Sequence, residues 1–275
     1  MKIKFYGTRG SIPVSDPNFM EFGGNTTCLF ITGIDEGAGT IIMDAGTGIR
    51  NLGKDINSGK IEVGEDISLG FTHFHWDHIQ GFPFFAPAYN PDSKIEISTA
   101  GEREIHNLKD IFSNQMQSIY FPVQLENMGA QITFVKYETN EFVGKKGALV
   151  SITDVIHPGG CIGVRFEFNG KSIVFCTDTE HPNGIDENVI KLSMNADVLI
   201  HEAQYTDEEL VNHRGWGHSS YSQAIEVAER SNAKQLIVTH HDPDHDDIFL
   251  MRMEKKCQER FKDLVFARDN FELNY

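Results

Sequence analysis

Basic residues are scarce in this chain: 24 Lys and Arg stand against 40 Asp and Glu in 275 residues, a formal net charge of −16. A field of that sign repels a polyanionic backbone, so long nucleic acid is not expected as a partner unless bound cations or a local basic patch intervene. Cysteine is sparse as well. Cys28, Cys161, Cys176 and Cys257 fall without any Cys-x-x-Cys spacing, and Cys28 and Cys176 lie within apolar stretches. Reduced core thiols fit that pattern better than a disulfide framework or a separate zinc knuckle. Long apolar runs are missing too. Met1 to Phe5 leads straight into a short strand-like stretch ended by Gly7, so no signal peptide or membrane span is expected, and the chain reads as cytoplasmic without a membrane partner. There is no low-complexity tract, linker or sequence repeat. Hydrophobic residues make up 40% of the chain, enough for one large core, so residues 1–275 are read as a single domain.

What is present is a succession of short apolar segments broken by glycine-rich turns. Strands are expected at Ile3 to Tyr6, Cys28 to Thr32, Thr40 to Met43 and Ile67 to Phe71, then at Ile132 to Val135, Leu149 to Ile156, Val164 to Phe168 and Ser172 to Cys176. Asn169-Gly170 predicts a hairpin joining the last two. Val198 to Ile200 and Leu236 to Val238 are short, continuous apolar strands. Helices are expected from Glu102 to Phe112, from Tyr221 to Arg230 with Ser219 or Ser220 as its cap, and from Asp246 onward. The pattern is α+β: two mixed sheets packed face to face, with helices outside.

Against this background one run stands apart, His73-Phe74-His75-Trp76-Asp77-His78, directly after the apolar stretch Ile67 to Phe71. Imidazole nitrogen and carboxylate oxygen are the ligand types that zinc and similar metals favour, and a tight turn at a strand end can aim alternate side chains at two neighbouring ions. His73 and His75 then face one metal, Asp77 and His78 the other. Four ligands cannot close two sites, so more are expected at other strand ends. His157 follows Val155-Ile156, Asp178 ends Val174 to Thr177, and His240 ends Ile237 to Thr239. An aspartate at such a position can bridge two ions with its two oxygens, leaving His157 to complete the first site and His240 the second.

These residues, with Asp44 in Asp44-Ala45-Gly46, resemble the five motifs of the metallo-β-lactamase-fold hydrolases over nearly the whole chain. The resemblance implies a four-layer αβ/βα sandwich with two divalent metal ions at one edge, Zn²⁺ first and Mn²⁺ as the alternative. It also implies that Asp44 supports the ligand loop from behind and is not itself a ligand. Asp178 stands where strongly active zinc β-lactamases typically carry cysteine, which speaks against antibiotic hydrolysis. His201-Glu202-Ala203 and Gly217-His218-Ser219-Ser220 are similar to motifs of the phosphodiesterase branch, which includes the tRNA 3′-processing endonucleases. In that branch metals bind the non-bridging oxygens, a hydroxide held between them attacks in line, and an acid protonates the leaving alkoxide. The implied catalytic side chains are Asp77, His218 as the acid, and Glu202 orienting it. Two plainer roles stand beside these, His218 as an extension of the helix cap and Glu202 as a core hydrogen-bonding group; His201, His181 and His245 are weaker candidates.

The tRNA endonucleases usually carry a glycine- and proline-rich clamping arm, and none is found here. Tyr6 to Pro13, Gly23 to Cys28, Thr72 to Gly81 and Thr239 to Pro243 resemble instead the group of cyclic-nucleotide and phosphonate-pathway phosphodiesterases, and within it the anti-Pycsar type, since the extra cysteine-rich zinc site of the phosphonate-pathway member is absent. The expected reaction is therefore hydrolysis of a small phosphodiester, a 3′,5′-cyclic mononucleotide opened to its linear monophosphate, within the degradation of cyclic-nucleotide immune signals. The alternatives are an RNA phosphodiesterase like the tRNA 3′-processing enzymes and a non-catalytic nucleotide-sequestering protein. Relatives in this group suggest a homodimer, with the segment from Phe112 to Met128 as the contact. Arg9 is open to two readings, a phosphate contact or a partner for a carboxylate. Tyr120 and Phe121 are open to base stacking or to packing.

Overall fold

The computed structural model describes residues 2–32, 40–64, 66–102, 105, 107–144 and 147–274. Its strands are β1 (Lys2–Gly7), β2 (Cys28–Thr32), β3 (Ile41–Met43), β4 (Asp66–Gly70), β5 (Lys94–Thr99), β6 (Gln131–Lys136), β7 (Glu141–Val143), β8 (Leu149–Val155), β9 (Cys161–Phe168), β10 (Lys171–Cys176), β11 (Val198–Glu202), β12 (Leu236–Thr239), β13 (Leu264–Phe266) and β14 (Glu272–Asn274). The helices are α1 (Ile49–Asn57), α2 (Trp76–Ile79), α3 (Leu108–Gln115), α4 (Glu187–Ser193), α5 (Asp207–Leu210), α6 (Tyr221–Ser231) and α7 (Asp247–Arg260).

The strands form two seven-stranded mixed sheets in the orders β14-β1-β2-β3-β4-β5-β6 and β13-β12-β11-β10-β9-β8-β7. Side chains alternate faces along a strand, so neighbours in sequence go to different layers. Phe5 and Leu29 enter the core between the sheets with Val164, Phe175 and Ile200, whereas Tyr6 and Phe30 join the outer core of the first sheet with Leu52 and Phe112 from α1 and α3. The outer face of the second sheet buries Val174, Leu199 and Val238 against Val189, Val227 and Leu250 of α4, α6 and α7. The result is the expected four-layer αβ/βα sandwich.

Topology gathers the strand ends that matter. Strands β3 to β6 run parallel, as do β10 to β13, and β8 is antiparallel to β9, which is antiparallel to β10. The segments after β3, β4, β8, β10, β11 and β12 therefore open at the carboxyl ends of their strands, where α/β sheets place their sites. The hairpin at Asn169-Gly170 is as expected, with both residues at positive φ.

One expectation needs correction, and two are narrowed. The helix expected from Glu102 starts later, at Leu108, because Asn107 caps it by accepting from the Lys109 amide while the Glu102 amide is tied to Asp154; residues 103, 104 and 106 lie outside the described residues. Of the two serines offered as cap for α6, Ser220 accepts from the Gln223 amide, and Ser219 donates to the Thr179 carbonyl instead. The segment from Phe112 to Met128 is not a free surface as a whole, since Phe112, Met116, Leu125 and Met128 are core and Phe121 packs edge-on against Phe84. It leaves Ile119 and Tyr120 exposed. Among the described residues no helix is long and apolar enough to cross a membrane.

Candidate metal centre

Each side chain proposed as a ligand sits just past a strand or in the turn that follows it. His73, His75, Asp77 and His78 come from the segment after β4 and from α2, His157 follows β8, Asp178 follows β10 and His240 follows β12. Asp44, Asp178 and His240 all adopt left-handed backbone, with φ of 61°, 47° and 59°. Such a conformation is uncommon outside glycine, and its recurrence at three converging strand ends marks a constrained site.

Two clusters result. Donor atoms of His73, His75, His157 and Asp178 lie within 4.8 Å of one another, and so do those of Asp77, His78, Asp178 and His240. Asp178 belongs to both and divides its oxygens between them: Oδ2 is 3.4 Å from His73 Nε2 and 3.8 Å from His157 Nε2, while Oδ1 is 3.3 Å from both His78 Nε2 and His240 Nε2. His157 Nε2 and His75 Nδ1 are 2.9 Å apart, and His240 Nε2 stands 3.1 Å from Asp77 Oδ2. Four donors at about 2.0–2.2 Å from a tetrahedral ion are separated by roughly 3.2–3.6 Å, so the spacing suits a metal of zinc's size in each cluster.

Hydrogen bonds around the clusters turn lone pairs inward. His78 Nδ1–H donates to Asp44 Oδ2 at 2.9 Å, and His157 Nδ1–H donates to the Gly217 carbonyl at 2.8 Å, leaving Nε2 of each facing the centre. Thr72 fixes Asp44 through its amide (2.8 Å) and hydroxyl (2.9 Å). His73 Nε2 is buried without a hydrogen-bond partner, aimed at Asp178. Burial pushes the imidazoles of His73 and His157 down, that of His157 to about 4, and partial desolvation lowers that of the more exposed His75, which leaves them neutral and able to ligate. Burial opposes the charge on Asp77 and Asp178, but the adjoining histidines overcome it and hold both carboxyls well below the usual range. At His78 burial favours the neutral ring, but Asp178, Asp77 and Asp44 overcome it and raise the imidazole, whereas in the first cluster a neutral nitrogen lone pair pointed at an ionised carboxylate is a poor contact in itself. A divalent cation between them satisfies both, and the donor set therefore fits a divalent metal site.

His218 and Glu202 lie beside the second cluster. The His218 ring stacks on His240 with centroids 5.0 Å apart. Glu202 is fully buried at the end of β11, where it accepts the amides of Thr179, Ser219 and Gln204 and stands 3.6 Å from His218 Nδ1. It thus performs the core role and also faces His218 as an ion pair, at a distance beyond a hydrogen bond. Although burial favours the neutral ring, Glu202 and then Asp178 and Asp77 push His218 up to about 9. Donors of Glu202, His218 and His240 also lie within 4.8 Å. Glu202 already accepts three backbone amides, which favours a role in orienting His218 over one as a ligand of a third metal site.

Other residues take structural places. His201 Nδ1–H donates to the Glu202 carbonyl and the ring stacks on His181, while His245 pairs with Glu209; none joins either cluster. Arg9 is fully buried and donates to the carbonyls of Gly23 (3.0 and 3.1 Å), Asp242 (2.8 Å) and His245 (2.9 Å), so both readings offered for it, a phosphate contact or a carboxylate partner, give way to a clamp on backbone oxygens. Beside it, the Ser11 amide donates to Asp77 Oδ2 at 2.8 Å, and Gly10 packs so close to His240 that a Cβ there would lie 2.4 Å from its ring. Sequence reasoning missed Ser11, Gly10, Thr72 and the Gly217 carbonyl as supports. Thr72 could have been suspected from its place before His73; backbone donors leave no signal in residue type.

A family model described as a β-lactamase superfamily domain matches residues 40–241. The chain is similar to the ribonuclease BN of Proteus mirabilis, 23% identical over 313 residues covering 98% of each chain. Among solved structures it resembles a diphosphatase of the PhnP family, with a TM-score of 0.70 and 17% identity over 100% of this chain and 97% of that one. It also resembles the short form of human tRNase Z, with a TM-score of 0.67 and 19% identity over 100% and 99%.

Proposed function

Because this chain belongs to the β-lactamase superfamily, we propose that its two facing clusters hold two divalent cations and that their joint task is hydrolysis of a phosphodiester. It is a metal-dependent hydrolase of the phosphodiesterase type. The single observation that carries the dinuclear reading is Asp178, with one oxygen turned to each cluster. When bound, such cations neutralise the non-bridging phosphate oxygens and acidify a water. The chain's own residues supply the rest. Asp77, held by the Ser11 amide, and His240 fix one side of the centre, and His73, His75 and His157 fix the other. His218, facing Glu202 at 3.6 Å, which favours its protonated form, is the residue assigned to give a proton to the departing alkoxide oxygen.

For the substrate, an RNA phosphodiester is the first reading, supported by ribonuclease relatives that align over 98% of both chains. One observation favours a second reading, the 3′,5′-cyclic mononucleotide: the net charge of −16 opposes approach of a long polyanion. Purified protein incubated with Zn²⁺ or Mn²⁺ is assayed on precursor tRNA, 3′,5′- and 2′,3′-cyclic nucleotides, and bis(p-nitrophenyl) phosphate. A higher kcat/KM on precursor tRNA supports the first reading and a higher value on a cyclic nucleotide the second. No hydrolysis of any diester rejects both in favour of nucleotide sequestration. Self-association through the exposed Ile119 and Tyr120 belongs to the same proposal, and a strictly monomeric active species in light scattering removes it.

A further inference from the structure

The chain contains two tryptophans, and both are exposed and adjoin in sequence a residue of the metal centre or its support: Trp76 by 74%, between His75 and Asp77, and Trp216 by 60%, before Gly217. Tryptophan is a highly buried residue type on average, and an indole left in water forgoes a large apolar contact. Their backbone places are tied to one ligand. Trp76 follows His75, whose Nδ1 meets His157 Nε2 at 2.9 Å. Trp216 precedes Gly217, whose carbonyl accepts from the opposite ring nitrogen of the same His157 at 2.8 Å. Ile156, 46% exposed, precedes His157 itself. Gly217 has φ of +89° and approaches His157 so closely that a Cβ would lie 2.1 Å from Nδ1, so residue 217 must stay glycine for Trp216 to keep this place.

The Trp216 loop is braced before any ligand arrives. Glu180 accepts the amides of Gly215 (2.8 Å) and Gly217 (3.1 Å), and its own amide donates to the Ile156 carbonyl at 2.8 Å. The His213 ring meets the indole edge-on at 4.8 Å. A preorganised, uncharged aromatic surface next to a site for phosphodiesters suits a flat aromatic group attached to phosphate, which is a nucleobase. Charge points the same way. With basic residues outnumbered 24 to 40, attraction to phosphates away from the metals is weak, and stacking supplies affinity that does not depend on charge.

We infer that Trp76 and Trp216 are stacking surfaces for the nucleobases that flank the scissile phosphodiester, and so set the preference for nucleotide over simple diesters. This inference rests on the phosphodiesterase reading above and deepens it. Because these are the two tryptophans of the chain, indole emission reports on these two side chains alone. The metal-loaded protein is titrated with a phosphorothioate-linked diadenosine, which is hydrolysed slowly, and with dimethyl phosphate, which has the diester but no bases. The dinucleotide quenches the emission and dimethyl phosphate does not. In Trp76→Leu and Trp216→Leu part of the quench is lost, and KM for a dinucleotide substrate rises roughly 5- to 100-fold with kcat little changed. An emission unmoved by the dinucleotide, an equal response to dimethyl phosphate, or emission that follows protein concentration because a second copy covers these side chains would each overturn the stacking role. Failure of the unaltered protein to hydrolyse methyl p-nitrophenyl phosphate tells against the phosphodiesterase reading instead, while the fluorescence result stands separately.

Discussion

Asp44 Oδ2 and His78 Nδ1 lie 2.9 Å apart with both side chains fully buried, so the carboxylate reaches the metal centre only through the imidazole it orients. Asp44 also accepts two hydrogen bonds from Thr72, immediately before His73. One buried carboxylate therefore sets the tautomer of one proposed ligand and the backbone position of another.

Asp44→Asn keeps the shape but places an amide where an acceptor is needed. Metal affinity is expected to fall about 10- to 100-fold, the usual consequence of losing a partner behind a histidine ligand. Competition against a chelator measures this, and an unchanged affinity would show that Asp44 serves folding alone.

Asp178→Ala removes a donor from both clusters at once, whereas His240→Ala touches only one. Metal content after dialysis against Zn²⁺ or Mn²⁺ should drop in both sites for the first variant, and by no more than one equivalent for the second. A parent protein that binds at most one equivalent contradicts the dinuclear arrangement.

His218→Ala should retain its metals and lose roughly 10²- to 10⁴-fold in kcat on substrates with an alkoxide leaving group, the range for removal of a general acid. The loss should shrink on bis(p-nitrophenyl) phosphate, whose leaving group departs without a proton. Parent rates on alkoxide substrates would make His218 a helix-start residue only.

Arg9→Lys tests the clamp. Lysine keeps the charge but its single ammonium cannot reach the carbonyls of Gly23, Asp242 and His245 with the guanidinium's fork, leaving buried acceptors unmet. A destabilisation of about 1–3 kcal/mol or more is expected in denaturant unfolding, with weaker metal binding through the displaced His240 loop. A variant as stable as the parent would show that the clamp is dispensable.

The two clusters of candidate ligands were legible in the sequence because ligand chemistry admits few residue types and because each residue lies at the end of a recognisable apolar run, a local signal. His73 to His78 is compact enough to be read alone, and His157, Asp178 and His240 follow the same rule. Some strands were not read from the sequence: β5, with six residues, and β7, β13 and β14, with three each. Residues that act across long separations were also hidden. Arg9, in a glycine-rich turn, reads as a phosphate contact or a carboxylate partner, yet its carbonyl partners lie 14, 233 and 236 positions away. Nor could residue type reveal which oxygen of Asp178 faces which cluster, that Glu202 collects three amides while facing His218, or that both tryptophans are exposed. The sequence by itself determined which donors exist and on which strand ends. Their convergence, the proton on each imidazole and the support behind it were decided by tertiary structure, because those depend on distances between segments that only the packed sheets bring together.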